Sequence, residues 1–378
     1  MGVSELCQRI VCDLEALLRK HALLESFDVV IKENSAERSN RSPVYVVENH
    51  LGLESWCVTP VYTFASQQLL GCYDTEKLIQ LTNVLLLLNP ELAVAWNHRK
   101  LLYLQRKLSL QQELQLSQLA LSRKPKTAEA FSHRKWLLGQ EMENYPLERR
   151  QAVLHSELQL CDTMATKYFS NYHAWDYRRH LVREYVEGAP LIIESELQRS
   201  KDFLQSHVSD HSGMAYRQYV LLRVNSRPLF QAELQFITDL IHTFPGHEAL
   251  WQHRRFCVLA CLGLLKSADK RLRSVSKDHK DPTRVNRATQ DEQVFVRDVL
   301  CTGEQWQRTL CERHIRWMRN TLHIELDANQ PKLANGVPFD VRADSLQMQH
   351  QVQQQQPSKQ TQTLRHDDDG DRDDNKVD

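Results

Sequence analysis

The chain has 378 residues, with 48 Lys and Arg balanced by 48 Asp and Glu, so its formal net charge is zero. That balance offers no basic footprint for nucleic acid and no charge attraction to an anionic membrane. Apolar runs such as Val84 to Leu88 are far shorter than the roughly 18 residues of a spanning helix, so no transmembrane segment is read. The nine cysteines are odd in number and contain no Cys-x-x-Cys pair. With no basic and apolar leader at Met1 to Leu6, they read as reduced thiols of a cytoplasmic protein.

Residues 1–74 read as a mixed helical and extended segment, with Val44-Tyr45-Val46-Val47 after Pro43 as its strand signal. From residue 75 the periodicity is helical. Leu78, Leu81, Val84, Leu85 and Leu88 form a stripe stopped by Asn89-Pro90, and a second helix restarts through Trp96, Arg99, Leu102 and Tyr103. The plan repeats: helices over 109–122 and 127–140 part near Pro125, and helices over 148–168 and 172–186 part near Ser170-Asn171. A helix over 190–206 precedes a turn at Ser209-Asp210, and one over 229–243 breaks at Pro245-Gly246. Residues 266–290 hold eight Lys or Arg against three Asp and read as a solvated basic linker. Residues 291–325 read as a degenerate closing hairpin in which Arg316-Trp317 is the nearest trace of the motif, and the Gln- and Asp-rich tail 346–378 reads as disordered.

The motif opens the second helix of each hairpin. Trp96-Asn-His98-Arg99, Phe131-Ser-His133-Arg134, Trp175-Asp-Tyr177-Arg178 and Trp251-Gln-His253-Arg254 are the clear copies, and Met214-Ala-Tyr216-Arg217 lacks the first aromatic. Successive arginines are 35, 44, 39 and 37 residues apart. A recurring period in this range predicts supersecondary units stacked into a solenoid, here of α-α hairpins over 75–265. The aromatic and the arginine lie three apart and share a helix face. The aromatic is placed to fill the space between stacked hairpins, and the arginine to bond carbonyls or a carboxylate of a neighbouring helix. Both roles are structural. His253, Cys257 and Cys261 also share one helix face, but a metal would need a fourth ligand. They read as core residues, and no metal site is assigned to this chain.

Tetratricopeptide repeats hold close to 34 residues, whereas this period wanders. The stretch Ser170-Asn171-Tyr172-His173-Ala174-Trp175-Asp176-Tyr177-Arg178-Arg179 resembles the Asn-Tyr-x-x-Trp-x-x-Arg repeat of protein prenyltransferase α subunits, and the likeness extends from Thr75 to Ala260. Leu53-Glu54-Ser55-Trp56-Cys57 resembles the N-terminal region of a divergent member. The resemblance implies an all-α fold, a right-handed superhelix of hairpins wrapped around a β subunit. It implies that the β subunit holds the catalytic zinc and most of the isoprenoid pocket, and that no cofactor is bound by this chain. The implied reaction is transfer of an isoprenoid, geranylgeranyl rather than farnesyl, from its diphosphate to a cysteine of a protein substrate.

Lys126 falls on the family's lysine that approaches the isoprenoid diphosphate, where a cation meets the charge that builds on the leaving group. Tyr172 and His173 match family residues lining the subunit interface near the active site, and Arg178 is taken with them as an interface candidate, beside a buried packing role for all three. Two departures stand beside Lys126. The family's tyrosine two residues on is Ala128, and the glutamine with which some members hold a CaaX carboxylate is Glu129. A carboxylate facing a carboxylate repels it, so the chain is expected to meet its protein substrate through a broader surface. The other reading is a helical-repeat scaffold that kept the fold and takes no part in catalysis.

Overall fold

In this computed structural model, residues 2–32, 42–186, 190–265, 282–326 and 332–333 are described. They form two compact units, one ending at Cys257 and one beginning at Val258. The tail 346–378 and residues 266–281 of the expected linker lie outside the described residues.

The first unit begins with α1 (Val3–Lys20), then β1 (Ser26–Val30), β2 (Val44–Val47) and β3 (His50–Glu54). The strands make one sheet in the order β1-β3-β2, with β1 parallel and β2 antiparallel to β3. Only β2 was signalled by a β-branched run. β1 and β3 are five-residue alternations, and Gly52 weakens the second. Gly52 lies opposite Tyr45, whose ring stands 3.0 Å from where a Cβ would be, so the aromatic covers the bare backbone. Phe27, Leu51 and Leu53 turn inward against α1 and the first repeats.

Helical hairpins follow: α2 (Val58–Leu69), α3 (Thr75–Leu88), α4 (Ala93–Leu104), α5 (Leu110–Arg123) and α6 (Ala128–Glu141). They continue with α7 (Leu147–Lys167), α8 (Tyr172–Tyr185), α9 (Pro190–Ser206), α10 (His211–Val224), α11 (Arg227–Thr243) and α12 (Glu248–Cys261). The expected helices are present within one or two residues at their ends, giving an all-α solenoid of hairpins that carries a small N-terminal sheet. Polar turn residues start the helices: Asp74, Ser109, Asn171 and Asp210 each accept a backbone N–H of the first turn.

In the second unit α13 (Pro282–Thr302) and α14 (Gln305–Leu322) pack as a hairpin, followed by the short antiparallel pair β4 (Ile324–Glu325) and β5 (Lys332–Leu333). Because α13 begins at Pro282, residues 282–290 are helix rather than linker. Proline needs no hydrogen-bond donor at a helix start. Gly303 makes the tight link, since a Cβ there would sit 2.5 Å from the Val299 carbonyl.

What joins the hairpins is a repeated buried ion pair. Each motif arginine from Arg99 to Arg217 is 1% to 3% exposed and grips a glutamate on the first helix of the next hairpin. The pairs are Arg99–Glu113, Arg134–Glu157, Arg178–Glu196 and Arg217–Glu233. Arg134 shows the geometry: Nε to Glu157 Oε2 at 2.8 Å and Nη2 to Oε1 at 2.5 Å, a two-pronged fit that only a guanidinium can make. Its remaining nitrogen, Nη1, turns back to its own hairpin, to the Leu114 carbonyl and Ser117 Oγ at 2.7 Å each. Arg217 repeats this with the Leu197 carbonyl and Ser200, and Arg99 with Thr82 and Asn83.

Each glutamate is then closed by the polar ring beside the next arginine, always 20 residues downstream. His133 Nε2 meets Glu113 at 2.7 Å, Tyr177 donates to Glu157 at 2.6 Å, Tyr216 donates to Glu196, and His253 Nε2 meets Glu233 at 2.8 Å. Those rings pack on the aromatic of the preceding copy: Trp96 on His133, Phe131 on Tyr177 and Trp175 on Tyr216, with centroids 4.6, 5.4 and 5.1 Å apart. In the second unit His314 Nε2 meets Glu292 at 2.9 Å, so His314 occupies the polar-ring place, and the exposed Arg316 is not the motif's arginine.

Burial alone would raise the Glu113 pKa, but Arg99 and His133 outweigh it and hold it below the usual range. Burial drives the His133 pKa down against the pull of Glu113. A neutral ring donating from Nε2 agrees with Nδ1, which is buried without a hydrogen bond.

Removing one member strands a buried charge. Arg134→Ala or Glu157→Gln is therefore expected to cost about 3–5 kcal/mol in denaturant unfolding, and joint replacement of both by methionine much less. Equal losses in the single and double variants would contradict this. The acid response follows from Glu233. Burial raises its pKa, but bonds and charges from His253 and Arg217 hold it at about 2, against an ordinary 4.5. A depressed carboxyl contributes stability above pH 4.5 that is lost as pH falls from 4.5 toward 2, here on the order of 3 kcal/mol. Glu233→Gln should flatten stability against pH in that window, and an unchanged slope would rule out this assignment.

Candidate functional site

The turns that join the first to the second helix of each hairpin are stitched to one another. Asn171, fully buried, donates from Nδ2 to the Pro125 carbonyl at 2.6 Å and to the Met164 carbonyl at 3.1 Å, while Oδ1 caps α8. Lys167 Nζ donates to the Ser122 carbonyl. Ser170 stands in the left-handed region at φ 51°, and its N–H donates to Asp210 Oδ2 at 3.1 Å. Asp210 in turn caps α10, and Ser209 meets His247 Nδ1 at 2.5 Å. The row of turns is held from hairpin to hairpin.

On this row the structure brings Lys126, Tyr172 and His173 together. The exposed Lys126 ammonium lies 4.9 Å from the Tyr168 ring centroid and 5.7 Å from that of Tyr172. Tyr172 packs on His173 at 3.8 Å. Burial lowers the His173 pKa, and the charge of Lys126 lowers it further, which keeps the ring neutral at physiological pH. Glu129 stands in the first turn of α6, partly exposed, with Ala128 before it. Farther along, Lys135 of α6 pairs with Asp176 of α8 at 2.5 Å. Next to that pair, Arg179 Nε and His180 Nε2 are buried without a hydrogen-bond partner.

Arg178 does not join this group. It is 1% exposed, clamped by Glu196 and bonded to Asp162 and the Leu158 carbonyl. Burial lowers its pKa, but Glu196 raises it more, so it stays charged inside the core. Its expected place at an interface gives way to the buried chain of ion pairs, because on a helix the motif arginine faces the next hairpin while Asp176 and Arg179 face outward. Tyr168 was missed in the sequence, since nothing local marks it as a neighbour of Lys126 42 residues earlier. His253 spends both ring nitrogens, on Glu233 and on Gln218. Among the described residues no three His, Cys, Asp or Glu side chains converge as a metal would need.

The sequence profile of the protein prenyltransferase alpha subunit repeat matches residues 110–141, 154–185 and 230–261. These are hairpins α5–α6, α7–α8 and α11–α12, each with the full set of glutamate, aromatic, polar ring and arginine. The first hairpin has Leu78 where the glutamate would stand, and the fourth has Met214 for the aromatic. The chain is 33% identical over 308 residues to protein prenyltransferase alpha subunit repeat-containing protein 1 of Danio rerio, covering 67% of this chain and 72% of that one. To the Homo sapiens protein of the same name it is 33% identical over 313 residues, covering 67% and 77%. Geranylgeranyl transferase type-2 subunit alpha of Rattus norvegicus is 26% identical over 201 residues, 48% of this chain and 33% of that one. On this evidence the chain belongs to the protein prenyltransferase α-subunit repeat family.

Proposed function

We propose that the chain is the α subunit of a heterodimeric protein prenyltransferase and that Lys126 meets the diphosphate of the isoprenoid donor. The observation that carries this reading is the exposed Lys126 ammonium, set beside a neutral His173 on a row of turns fixed by buried hydrogen bonds. In the reaction a carbon–sulfur bond forms to the substrate cysteine as the carbon–oxygen bond to diphosphate breaks, and the pair of electrons leaves on the diphosphate. A fixed ammonium favours that step because it is already in place as the charge develops. The geranylgeranyl group is the favoured donor because of the likeness to a geranylgeranyl transferase subunit. No helix among the described residues is long and apolar enough to cross a membrane, which is consistent with a partner-bound enzyme that is not itself a spanning protein.

The β partner is assigned the zinc, which when bound would make the cysteine thiol a better nucleophile. Glu129 turns a free terminal carboxylate away, so the protein substrate is read by a surface wider than a four-residue tail.

Co-expression with prenyltransferase β subunits tests the reading. A stable 1:1 complex that transfers isoprenoid to protein is expected, with Lys126→Ala lowering kcat/KM for the donor on the order of 100-fold while the complex stays intact. Peptides ending in CaaX should be poor acceptors, improved by Glu129→Gln. Failure to form a complex with any β subunit would overturn the proposal, and a stable complex without transfer would support the scaffold reading.

A further inference from the structure

Among the described residues no ion pair holds the Lys126 ammonium. Its close neighbours are the faces of two tyrosines, Tyr168 at 4.9 Å and Tyr172 at 5.7 Å from the ring centroids. Lys126 lies in the turn before α6, and Ala128, the first residue of that helix, has only a methyl group, so the aromatic wall comes from the neighbouring hairpin. Tyr168 and Tyr172 are 45% and 41% exposed, large rings left at the surface around one cation. Aromatic faces attract a cation without neutralising it, whereas a carboxylate would cancel the charge. A lysine held in this way is fixed in direction and still able to take an anion.

The backbone shows that the arrangement is built. The Pro125 carbonyl, one residue before Lys126, is bound by Asn171, one residue before Tyr172. Lys167, one residue before Tyr168, is tied to the Ser122 carbonyl. Ser170, between the two tyrosines, accepts a left-handed backbone and is anchored to Asp210 of the next hairpin. On the lysine's side, Thr127 closes the turn through Oγ1 to the Lys124 carbonyl at 2.9 Å. The ammonium and both rings are therefore mounted on two turns fastened to each other.

We propose that Tyr168 is a positioning residue which, with Tyr172, holds the Lys126 ammonium in the direction from which it meets a phosphate group. The proposal rests on the reading of Lys126 as the diphosphate contact, and its test separates the two. The lysines of the full-length chain are dimethylated with labelled formaldehyde, which keeps their charge, and the Lys126 signal is assigned by its loss in Lys126→Arg. The ring currents should move that signal upfield of ordinary surface lysines. Tyr168→Ala should return it toward them and Tyr168→Phe should keep it displaced, with circular dichroism confirming that each variant is folded.

In the active heterodimer Tyr168→Ala should raise KM for the prenyl diphosphate about 2- to 5-fold, a range set by the modest strength of an exposed cation–aromatic contact. Tyr168→Phe should match the parent, and Tyr168→Ala should add nothing on a Lys126→Ala background. An undisplaced Lys126 signal, or a displaced one with KM untouched by Tyr168→Ala in a complex that Lys126→Ala impairs, overturns the proposal. A displaced signal with transfer indifferent to Lys126→Ala leaves the pairing in place and removes the diphosphate reading instead.

Discussion

The fold of the first unit depends on a guanidinium that has left water. An arginine buried to the extent of Arg134 or Arg178 must have all its donors occupied, since an unpaired buried charge costs more than packing returns. Here the donors are divided between two hairpins: one edge grips the next hairpin's glutamate and the remaining nitrogen holds the arginine's own first helix. Neither hairpin can satisfy these groups alone. Apolar contacts between helices tolerate sliding, but a two-pronged arginine–glutamate fit does not, so the ion pairs set the register in which Trp96, Phe131 and Trp175 pack on the following ring.

The same constraint explains where chemistry can be placed. The motif arginine, its polar ring and the glutamate are committed to the interior, and altering them would strand a charge. The outward residues of the same helices and the turns before them carry no such obligation. Lys126, Glu129, Tyr168, Tyr172 and His173 all lie there, on turns that Asn171 and Asp210 link from one hairpin to the next. The hairpin array thus acts as a rigid mount, and differences between copies at the turns give the surface its chemical character.

The sequence revealed half of each joint. The aromatic and the arginine lie three residues apart on one helix and announce themselves by repetition. The glutamate sits on the preceding helix, and around Glu113 the run Leu110-Gln111-Gln112-Glu113-Leu114-Gln115 gives no local reason to single it out. Only its constant spacing of 20 residues to the polar ring identifies it, and that spacing reflects hairpin geometry rather than a local pattern. Arg178 is an interface candidate only through the family resemblance it shares with Tyr172 and His173, yet five and six residues along α8 place it about 140° and about 120° around the helix from them, on the buried face. His314 was passed over for Arg316 because the closing hairpin retains the polar ring of the motif without the adjacent arginine. The N-terminal sheet was half legible for a different reason, since strands of five residues carry too few alternations to stand out.

The central claim is that this chain works through its row of hairpin turns, in company with a β subunit and a prenyl diphosphate. Hydrogen exchange on the assembled heterodimer, with and without a non-reactive prenyl diphosphate analogue, tests it most directly. The account predicts added protection on analogue binding at residues 124–129 and 168–173, with the buried helices around Arg134 and Arg178 already slow and unchanged. Protection elsewhere on the chain, or none at either turn, would contradict it.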